Sequence, residues 1–216
     1  MIDQLKQSLA AHGYKLYTRP FELNIIGVRS ASNVPNAFDD YIYLLFTDSN
    51  GKWQLKSYEA TTDPGLKYLK TPINNAGTAI LKPGQYQGCY AIGLHRGLYM
   101  ALVQRKPVTV VRDFNHDSKL DFTSGSEQTG MFGINIHRAQ EVGHTKVVDG
   151  FSAGCQVFAD VKDFQEFMQL AEVHKQVYGN VFTYTLLQQT TAIAASAAAI
   201  AKGKYADTGS PAAPLN

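Results

Sequence analysis

Apolar and polar residues alternate in short runs over much of the chain, and this period of two predicts β-strands. Six such runs precede residue 112, and a seventh covers residues 181–187. Turn-forming residues separate the runs, and residues 48–51 contain Asn50-Gly51, a pair that tolerates positive φ and favours a hairpin. The six earlier runs are residues 23–29, 40–46, 53–60, 85–92, 98–104 and 108–111.

Two segments have a helical period instead. Residues 1–14 carry an apolar face and reach a stop at Gly13, and residues 161–178 begin after Asp160 as an N-cap and end at Gly179. The roughly eight to ten strands show no regular alternation with helices. The chain is therefore predicted to be a mainly β single domain, a β-sandwich or barrel-like fold with two or three peripheral helices.

The last part of the chain differs in composition, since residues 192–201 are almost entirely Ala, Ile and Ser and residues 210–216 are rich in Pro and Ala. We therefore divide the chain into an N-terminal helix (1–15), a body (16–188) and a tail (189–216). The alanine run is too short and too weakly apolar to cross a bilayer, so no membrane span is expected. The run either packs on a partner protein or forms a frayed or surface-packed helix, as chain termini often do.

Composition narrows the classes of function. The chain has 216 residues, of which 44% are hydrophobic, enough for one sizeable core. The net charge is +2 and the sequence has no basic run, so nucleic-acid binding is not expected. Only two cysteines, Cys89 and Cys155, are present, too few for a disulfide scaffold. The N-terminus shows no secretory signal, so we expect synthesis in a cytoplasm and a separate route of release if the protein acts outside a cell.

The residues with the clearest chemical potential are His137 and, after 14 intervening residues, the turn Ser152-Ala153-Gly154-Cys155. A thiol becomes a strong nucleophile when an imidazole takes its proton or stabilises the thiolate. Small residues before the cysteine admit a substrate carbonyl and leave backbone N–H groups to hold a developing oxyanion. These are the minimum parts for cysteine acyl transfer. The spacing alone also allows an inert core cysteine and a hydrogen-bonded core histidine.

His137 followed by the Ser-x-Gly-Cys turn at residues 152–155 resembles the H…SxGC signature of the L,D-transpeptidase (YkuD-like) cysteine enzymes. Weaker features follow in the same order. Residues 60–65 are similar to a Ser-Thr-Gly turn of that family, and residues 71–77, with Thr-Pro and a later Gly, are similar to its Thr-Pro-x-Gly segment. The resemblance covers about residues 38–158, and the arrangement most resembles divergent members carried by bacteriophages.

The resemblance implies a mainly β, L,D-transpeptidase-like fold and an enzyme that cleaves or joins peptide bonds of the peptidoglycan stem. It makes Cys155 the nucleophile and His137 the base. The N–H of Cys155, with one N–H from Ser152, Ala153 or Gly154, would form the oxyanion hole. A backbone carbonyl often orients the imidazole in this family, and no cofactor is required.

The same resemblance implies the partners and the location. The partners are a bacterial peptidoglycan peptide and, through residues 189–216, other virion proteins. The protein is then expected in the virion or released to the cell wall, where a phage context favours hydrolysis over transpeptidation. An alternative of another class stays open, namely a virion or assembly component that keeps the fold and binds glycan, peptide or a partner protein without turnover.

The residues expected to recognise substrate depart from the family pattern. The family usually has Gly after the histidine, where this chain has Arg138, and Arg two places after the cysteine, where it has Val157. Arg138 either supplies a replacement cation for a substrate carboxylate or makes a structural ion pair. His95, in the Gly-flanked segment 93–97, either lines the same cleft or lies in a solvated turn. We assign no role to His144.

The acidic segment 112–121 resembles part of a calcium loop. Ser118 stands where the glycine of the sharp turn belongs, and Ser124 where the bidentate glutamate belongs. A structural calcium is one interpretation, and an Asx-rich turn is the other. The sequence offers no ligand set for catalytic zinc. The candidate calcium ligands are the side chains of Asp113, Asn115, Asp117 and Asp121 and the carbonyl of Lys119.

Overall fold

The computed structural model describes residues 1–32, 34–123 and 125–201. Within them the chain forms eleven β-strands and four α-helices, which confirms the mainly β prediction. The strands are β1 (Asn24–Arg29), β2 (Asp40–Thr47), β3 (Trp53–Thr61), β4 (Thr78–Leu81), β5 (Gly84–His95), β6 (Tyr99–Gln104), β7 (Val108–Asp113), β8 (Glu127–Gly130), β9 (Ile136–Arg138), β10 (Gln156–Phe158) and β11 (Phe182–Gln188). The helices are α1 (Ile2–Ala11), α2 (Leu66–Lys70), α3 (Val161–Tyr178) and α4 (Thr191–Ala201).

Eight strands form one closed sheet in the order β1-β11-β5-β6-β9-β10-β3-β2, and β4-β7-β8 form a separate three-stranded sheet. Two neighbouring pairs in the closed sheet run parallel, β1 with β11 and β9 with β10. Parallel strands cannot be joined by a tight turn, so each pair needs a long connection. The connection from β9 to β10 brings residues 152–155 to the edge where His137 lies.

The hairpin of β2 and β3 confirms the turn predicted at residues 48–51. The two strands pair in continuous register. The Asp48 carboxylate accepts hydrogen bonds from the backbone N–H of Asn50 at 2.9 Å and of Lys52 at 3.0 Å. Gly51 has a φ of 75°, a conformation that favours glycine.

Helix α3 packs against the aromatic part of the main core. The ring centroid of Phe158 lies 5.5 Å from that of Phe164 and 4.9 Å from that of Phe167. Burial of each phenyl ring contributes roughly 1.5–3 kcal/mol. Asp160 caps the helix as predicted, because its carboxylate accepts the Lys162 N–H at 2.7 Å. Since α3 follows β10 directly, this packing holds β10, and the cysteine before it, in place.

Helices α1 and α4 pack on the face of β1 and β2 opposite to the main core. Leu5, Leu9 and Ile193 share a buried cluster with Ile26 and Leu45. The strand neighbours of the last two residues belong to the main core, so the terminal helices cover the other face of the sheet.

The structure corrects two helical predictions. Helix α1 ends at Ala11 rather than at residue 14, because the chain turns at Gly13 with a φ of 66°. Helix α2 was not predicted, and it brings the described α-helices to four rather than two or three. Its five residues bury only Leu69, so the sequence shows no helical period there.

The first part of the tail packs within the chain. Helix α4 contacts α1, which matches the surface-packed interpretation of the alanine run. Residues 202–216, including the Pro/Ala-rich end, lie outside the described residues. Among the helices that the structure describes, none combines the length and the apolar character needed to cross a membrane.

Candidate active site

His137 and the cysteine turn, defined as residues 152–155, meet where two paired strands begin. Strands β9 and β10 run parallel in register. The N–H of Gln156 donates to the carbonyl of Asn135 at 2.9 Å, so Cys155 lies beside Asn135. Because side chains alternate along a strand, Asn135 and His137 lie on the same face. The structure therefore brings together the two regions that the sequence singled out.

The Cys155 thiol is half-buried and protonated at neutral pH. Its S–H donates to the carbonyl of Gly133 at 3.4 Å, and its Sγ accepts the N–H of Asn135, also at 3.4 Å. Burial raises the pKa of the thiol to about 11, although the Asn135 N–H and Arg96 act in the opposite direction. At rest, the side chain of Cys155 is therefore a thiol rather than a thiolate.

The His137 ring is buried and is held by a backbone carbonyl. Its Nδ1 lies 2.8 Å from the carbonyl oxygen of Arg138 and 3.3 Å from the hydroxyl of Tyr99. An Nδ1–H that donates to this carbonyl leaves Nε2 as the basic nitrogen. No described residue is hydrogen-bonded to Nε2. Burial, and then the nearby His95, lowers the pKa of His137 to about 3, so the ring is neutral.

His95 stacks on His137 and is buried rather than solvated. The two ring centroids are 4.1 Å apart and the planes differ by 24°. The Asn135 side-chain amide donates to Nδ1 of His95 at 3.0 Å. Burial lowers the pKa of His95, which keeps this ring neutral as well. Asn135 thus contacts His95 through its side chain and the Cys155 sulfur through its backbone N–H.

The sulfur of Cys155 and the ring of His137 make no hydrogen bond with each other in the described structure, where the sulfur instead contacts Gly133 and Asn135. For a proton to pass from Sγ to Nε2, the S–H must leave the Gly133 carbonyl. Hydrogen bonds of this kind are often long or misaligned without substrate and tighten when substrate binds.

The cysteine turn presents unused backbone donors. Ser152 shapes the turn, because its Oγ–H donates to the carbonyl of Cys155 at 2.8 Å and its Oγ accepts the Gly154 N–H at 3.1 Å. Gly154 has a φ of 118°, and a Cβ there would collide with the carbonyl oxygen of Ala79. The N–H groups of Ala153 and Cys155 have no acceptor among the described residues. Two such donors suit a developing oxyanion.

The segment that follows β3 anchors the cysteine turn. The N–H of Gly65 donates to the carbonyl of Ser152 at 2.9 Å. The Gln156 side-chain amide lies 3.3 Å from the carbonyl of Gly154, and the Tyr184 hydroxyl donates to the same amide's oxygen at 2.7 Å. The weak similarity at residues 60–65 thus falls on a segment that contacts the candidate site.

Arg138 lies on the opposite face of β9 from His137, since adjacent residues alternate. Its guanidinium stacks on the Tyr99 ring at 4.1 Å, and its Nη2 lies 3.5 Å from the Glu141 carboxylate. Arg138 lines a groove of about 740 Å³ beside α3, and Cys155 does not line that groove. These contacts match the structural interpretation of Arg138, and its role as a replacement cation stays a prediction.

Three polar residues near the candidate site were not predicted from the sequence: Asn135, Tyr99 and Arg112. The signal for Asn135 was its place two residues before His137, on the same strand face. Tyr99 gave no signal, because it lies in a strand-like run far from the cysteine in sequence. Arg112 opens the acidic segment 112–121, where the calcium interpretation concerned the carboxylates and not the arginine. Arg112 is only 4% exposed and lines a cavity together with Ala153.

The predicted calcium segment forms Asx turns. Oδ1 of Asp117 accepts a backbone N–H at 2.9 Å, and Oδ2 of Asp113 accepts the N–H of Asp121 at 3.1 Å. The Asn115 amide donates to the Asp121 carboxylate at 2.6 Å. Within the described residues, no group of three or more His, Cys, Asp or Glu is placed to hold a metal ion, and Ser124 lies outside them. The geometry matches the Asx-rich turn, and calcium binding stays a prediction.

Comparison with known proteins adds no relative. No protein-family model, no curated protein and no solved structure matches the chain. The function proposed below therefore depends on the geometry of the site and on the resemblance of its residues.

Proposed function

We propose that the protein is a cysteine enzyme of the L,D-transpeptidase type, with the corresponding mainly β fold, that transfers or hydrolyses acyl groups of peptidoglycan stem peptides. The observation that carries the proposal is a pair of N–H groups, at Ala153 and Cys155, that have no acceptor among the described residues and lie in the same turn as a half-buried thiol, near a carbonyl-oriented His137. A nucleophile, a base and oxyanion donors are the groups that acyl transfer needs. The resemblance at His137 and residues 152–155 supports the class of substrate.

The reaction begins from a neutral pair, because both pKa shifts oppose a resting thiolate–imidazolium ion pair. Sγ of Cys155 attacks the carbonyl carbon while the S–H proton passes to Nε2 of His137. The carbonyl oxygen becomes an oxyanion that accepts hydrogen bonds from the N–H groups of Ala153 and Cys155. When the tetrahedral intermediate collapses, the imidazolium gives its proton to the leaving amine, and a thioester remains.

The acceptor decides the outcome of the second step. Water or an amine attacks the thioester carbon and passes a proton to His137, and collapse of this intermediate returns the proton to the sulfur of Cys155. Water gives hydrolysis and an amine gives transpeptidation. A phage-like context favours water.

Digestion of purified peptidoglycan tests the proposal. We expect wild type and Cys155→Ala to differ, with new muropeptides produced by wild type alone. Cys89→Ala is the matched control, since Cys89 is the other free thiol and is buried, with its sulfur 3.7 Å from the Gln87 carbonyl. Cys89→Ala should retain activity. An unchanged muropeptide profile with wild type, or equal activity in Cys155→Ala, contradicts the proposal.

A second candidate function is a virion or assembly protein that keeps the fold and binds glycan, peptide or a partner protein without turnover. The observation that favours it is the lack of a hydrogen bond between Cys155 and His137 in the described structure, together with pKa shifts that keep both groups neutral. Co-sedimentation with insoluble peptidoglycan, followed by muropeptide analysis of the same samples, separates the two. Binding without new muropeptides supports this second function, and products that Cys155→Ala does not form support the first.

A further inference from the structure

A small cavity next to the cysteine turn contains a buried arginine. This cavity, called here the Arg112 cavity, has a volume of about 280 Å³. Within the described residues, Arg112 is the only charged side chain that lines it, and no Asp or Glu does. Residues that line it include Tyr68, Asn74, Arg112, Met131, Phe132 and Ala153.

Neutral groups hold the Arg112 guanidinium. Its Nε donates to the Gln128 side chain at 2.9 Å, and its Nη1 donates to the carbonyl of Gly77 at 3.2 Å. The Phe132 ring lies 4.8 Å from the guanidinium carbon. Nη2 donates to no described residue, so three of the five N–H bonds of the guanidinium have no acceptor among them.

A buried charge without a counter-ion is unfavourable, and buried arginines are normally paired. Arg29, also buried, follows this rule, with the Asp63 carboxylate 2.8 Å from its Nε. Arg112 is 4% exposed and has no carboxylate partner among the described residues. Burial also lowers the pKa of Arg112, although a guanidinium stays charged at neutral pH. A carboxylate is the group that matches the free N–H bonds in charge and in geometry.

We propose that the Arg112 cavity binds a carboxylate of the substrate and that Arg112 selects for it. The inference deepens the proposed function and rests on it, because the cavity and the nucleophile share the cysteine turn. Ala153 lines the cavity, and Cys155 follows two residues later. The cation that the family usually carries two places after the cysteine is replaced here by Val157, which is buried in an apolar cluster.

The walls of the cavity indicate the size of the group that it accepts. Ile73, Met131 and Phe132 supply apolar surface, and the small volume suits a single amino-acid residue. The substrate class is therefore a peptide whose free carboxylate belongs to a residue next to the scissile carbonyl. Arg112 positions this residue, while Cys155 and His137 act on the bond.

Methyl NMR of Cys155→Ala protein, labelled with [13C-methyl]methionine, locates binding without turnover. Met131 lines the Arg112 cavity, whereas Met100 and Met168 line the groove beside α3, so each cavity has its own reporter. The probes are N-acetylalanine and N-acetylalanine amide, which differ only at the carboxylate. At pH 7 we expect the acid to shift Met131 saturably. The amide should bind about tenfold more weakly or worse, because charge-assisted hydrogen bonds are lost.

Two further variants in the Cys155→Ala background assign the effect to one arginine. Arg112→Gln removes the buried charge and should reduce the affinity for the acid to that for the amide. Arg105→Gln is the matched control, since Arg105 is exposed and does not line the cavity, and it should leave the affinity unchanged. If Arg112→Gln does not fold, the comparison of acid with amide still decides the question.

Three results would overturn the proposal: equal affinities for acid and amide, shifts confined to Met100 and Met168, or no shift of Met131 up to the solubility limit of the acid. Turnover enters none of these measurements. A protein that binds the acid through Arg112 but leaves peptidoglycan unchanged would therefore contradict the proposed function alone.

Discussion

Two buried arginines donate hydrogen bonds to backbone carbonyls at the two ends of the same strand, and they differ in whether a carboxylate lies beside the guanidinium. At one end of β4, Nη2 of Arg29 donates to the carbonyl of Leu81 at 3.0 Å. At the other end, Nη1 of Arg112 donates to the carbonyl of Gly77 at 3.2 Å. Arg29 also has a carboxylate 2.8 Å away, that of Asp63, whereas Arg112 has none among the described residues.

The difference separates a polar cluster that stabilises the fold from one that is open to a ligand. Around Arg29, the guanidinium has a carboxylate partner in Asp63, and Asp40 accepts hydrogen bonds from Ser30 and Thr62. Around the cysteine turn, three N–H bonds of the Arg112 guanidinium and two backbone N–H groups have no acceptor in the part of the chain that the structure describes, and they lie beside a cavity and a thiol. Donors that lie beside a cavity and have no protein acceptor are available to a ligand, so their concentration here supports the binding that we propose.

The largest expected effect is a loss of turnover when a residue of the candidate site around the cysteine turn is replaced. His137→Gln removes the proposed base and should lower kcat by roughly 10²–10⁴-fold. Stability should fall by only about 1 kcal/mol, for the hydrogen bond to the Arg138 carbonyl. His144→Gln is the control, because His144 is exposed and contacts Glu59 at 2.6 Å. Steady-state kinetics and urea unfolding measure both quantities, and wild-type turnover in His137→Gln would remove the base from the mechanism.

The second effect compares the two arginines directly. Arg29→Leu leaves the buried Asp63 carboxylate without its cation and should cost about 3–5 kcal/mol. Arg112→Leu leaves only neutral acceptors, on Gln128 and Gly77, and should cost about 1–3 kcal/mol. Denaturant unfolding of both variants gives the two values. An equal or larger loss in Arg112→Leu would make Arg112 a structural residue and end the comparison.

The smallest effect is on the pH dependence of stability, to which Asp40 near Arg29 and His137 near the cysteine turn should contribute with opposite signs. Burial and then Asp63 raise the pKa of Asp40 to about 7, so the folded state keeps a proton that the unfolded state loses. The contribution of Asp40 to stability therefore falls as pH rises from about 4 to 7. Burial lowers the pKa of His137 to about 3, so below about 6.5 the unfolded state binds a proton that the folded state does not. The contribution of His137 is lost as pH falls from about 6.5 to 3.

Urea unfolding from pH 3 to 8 measures these slopes in wild type, Asp40→Asn and His137→Gln. Asp40→Asn should lose the decrease in unfolding free energy that wild type shows as pH rises from about 4 to 7. His137→Gln should lose the decrease that wild type shows as pH falls from about 6.5 to 3. Each difference from wild type should be about 1–2 kcal/mol across its window, since coupled groups share a titration. If the differences between variant and wild type change in the same direction with pH for Asp40→Asn and His137→Gln, burial does not raise the pKa of Asp40 while lowering that of His137.

Local patterns in the sequence predicted the local elements well. The cap at Asp160, the turn at Asn50-Gly51 and the run that became β11 depend on neighbours within a few residues, and the structure confirms all three. The pattern of hydrophobic residues did not predict which strands pair with each other. The parallel neighbours β1–β11 and β9–β10 depend on contacts between distant segments, and α2 is too short to show a period.

The candidate site divides in the same way. His137 and the cysteine turn could be recognised from the sequence, because the imidazole, the small residues and the thiol all lie within residues 137–155. Arg112 could not, although it opens the acidic segment 112–121, because the lack of a counter-ion among the described residues depends on what packs around β7 and not on the neighbours of Arg112 in sequence. Arg138 was the arginine that the sequence suggested as a cation for a substrate carboxylate, but strand alternation places it on the face of β9 opposite to His137.

The parallel pair β1–β11 has a consequence for the order in which a ribosome makes this protein. β11 follows β1 by about 150 residues, so at roughly 5–20 residues per second it is synthesised on the order of 10 s later. Until then β1 and β5 each lack a neighbour, and the nascent chain cannot close its main sheet. Cotranslational folding therefore stops short of the native state, and the finished shape waits for the last strand. A cell that makes this protein holds an incomplete sheet until β11 is made, with free strand edges of the kind that pair with other chains.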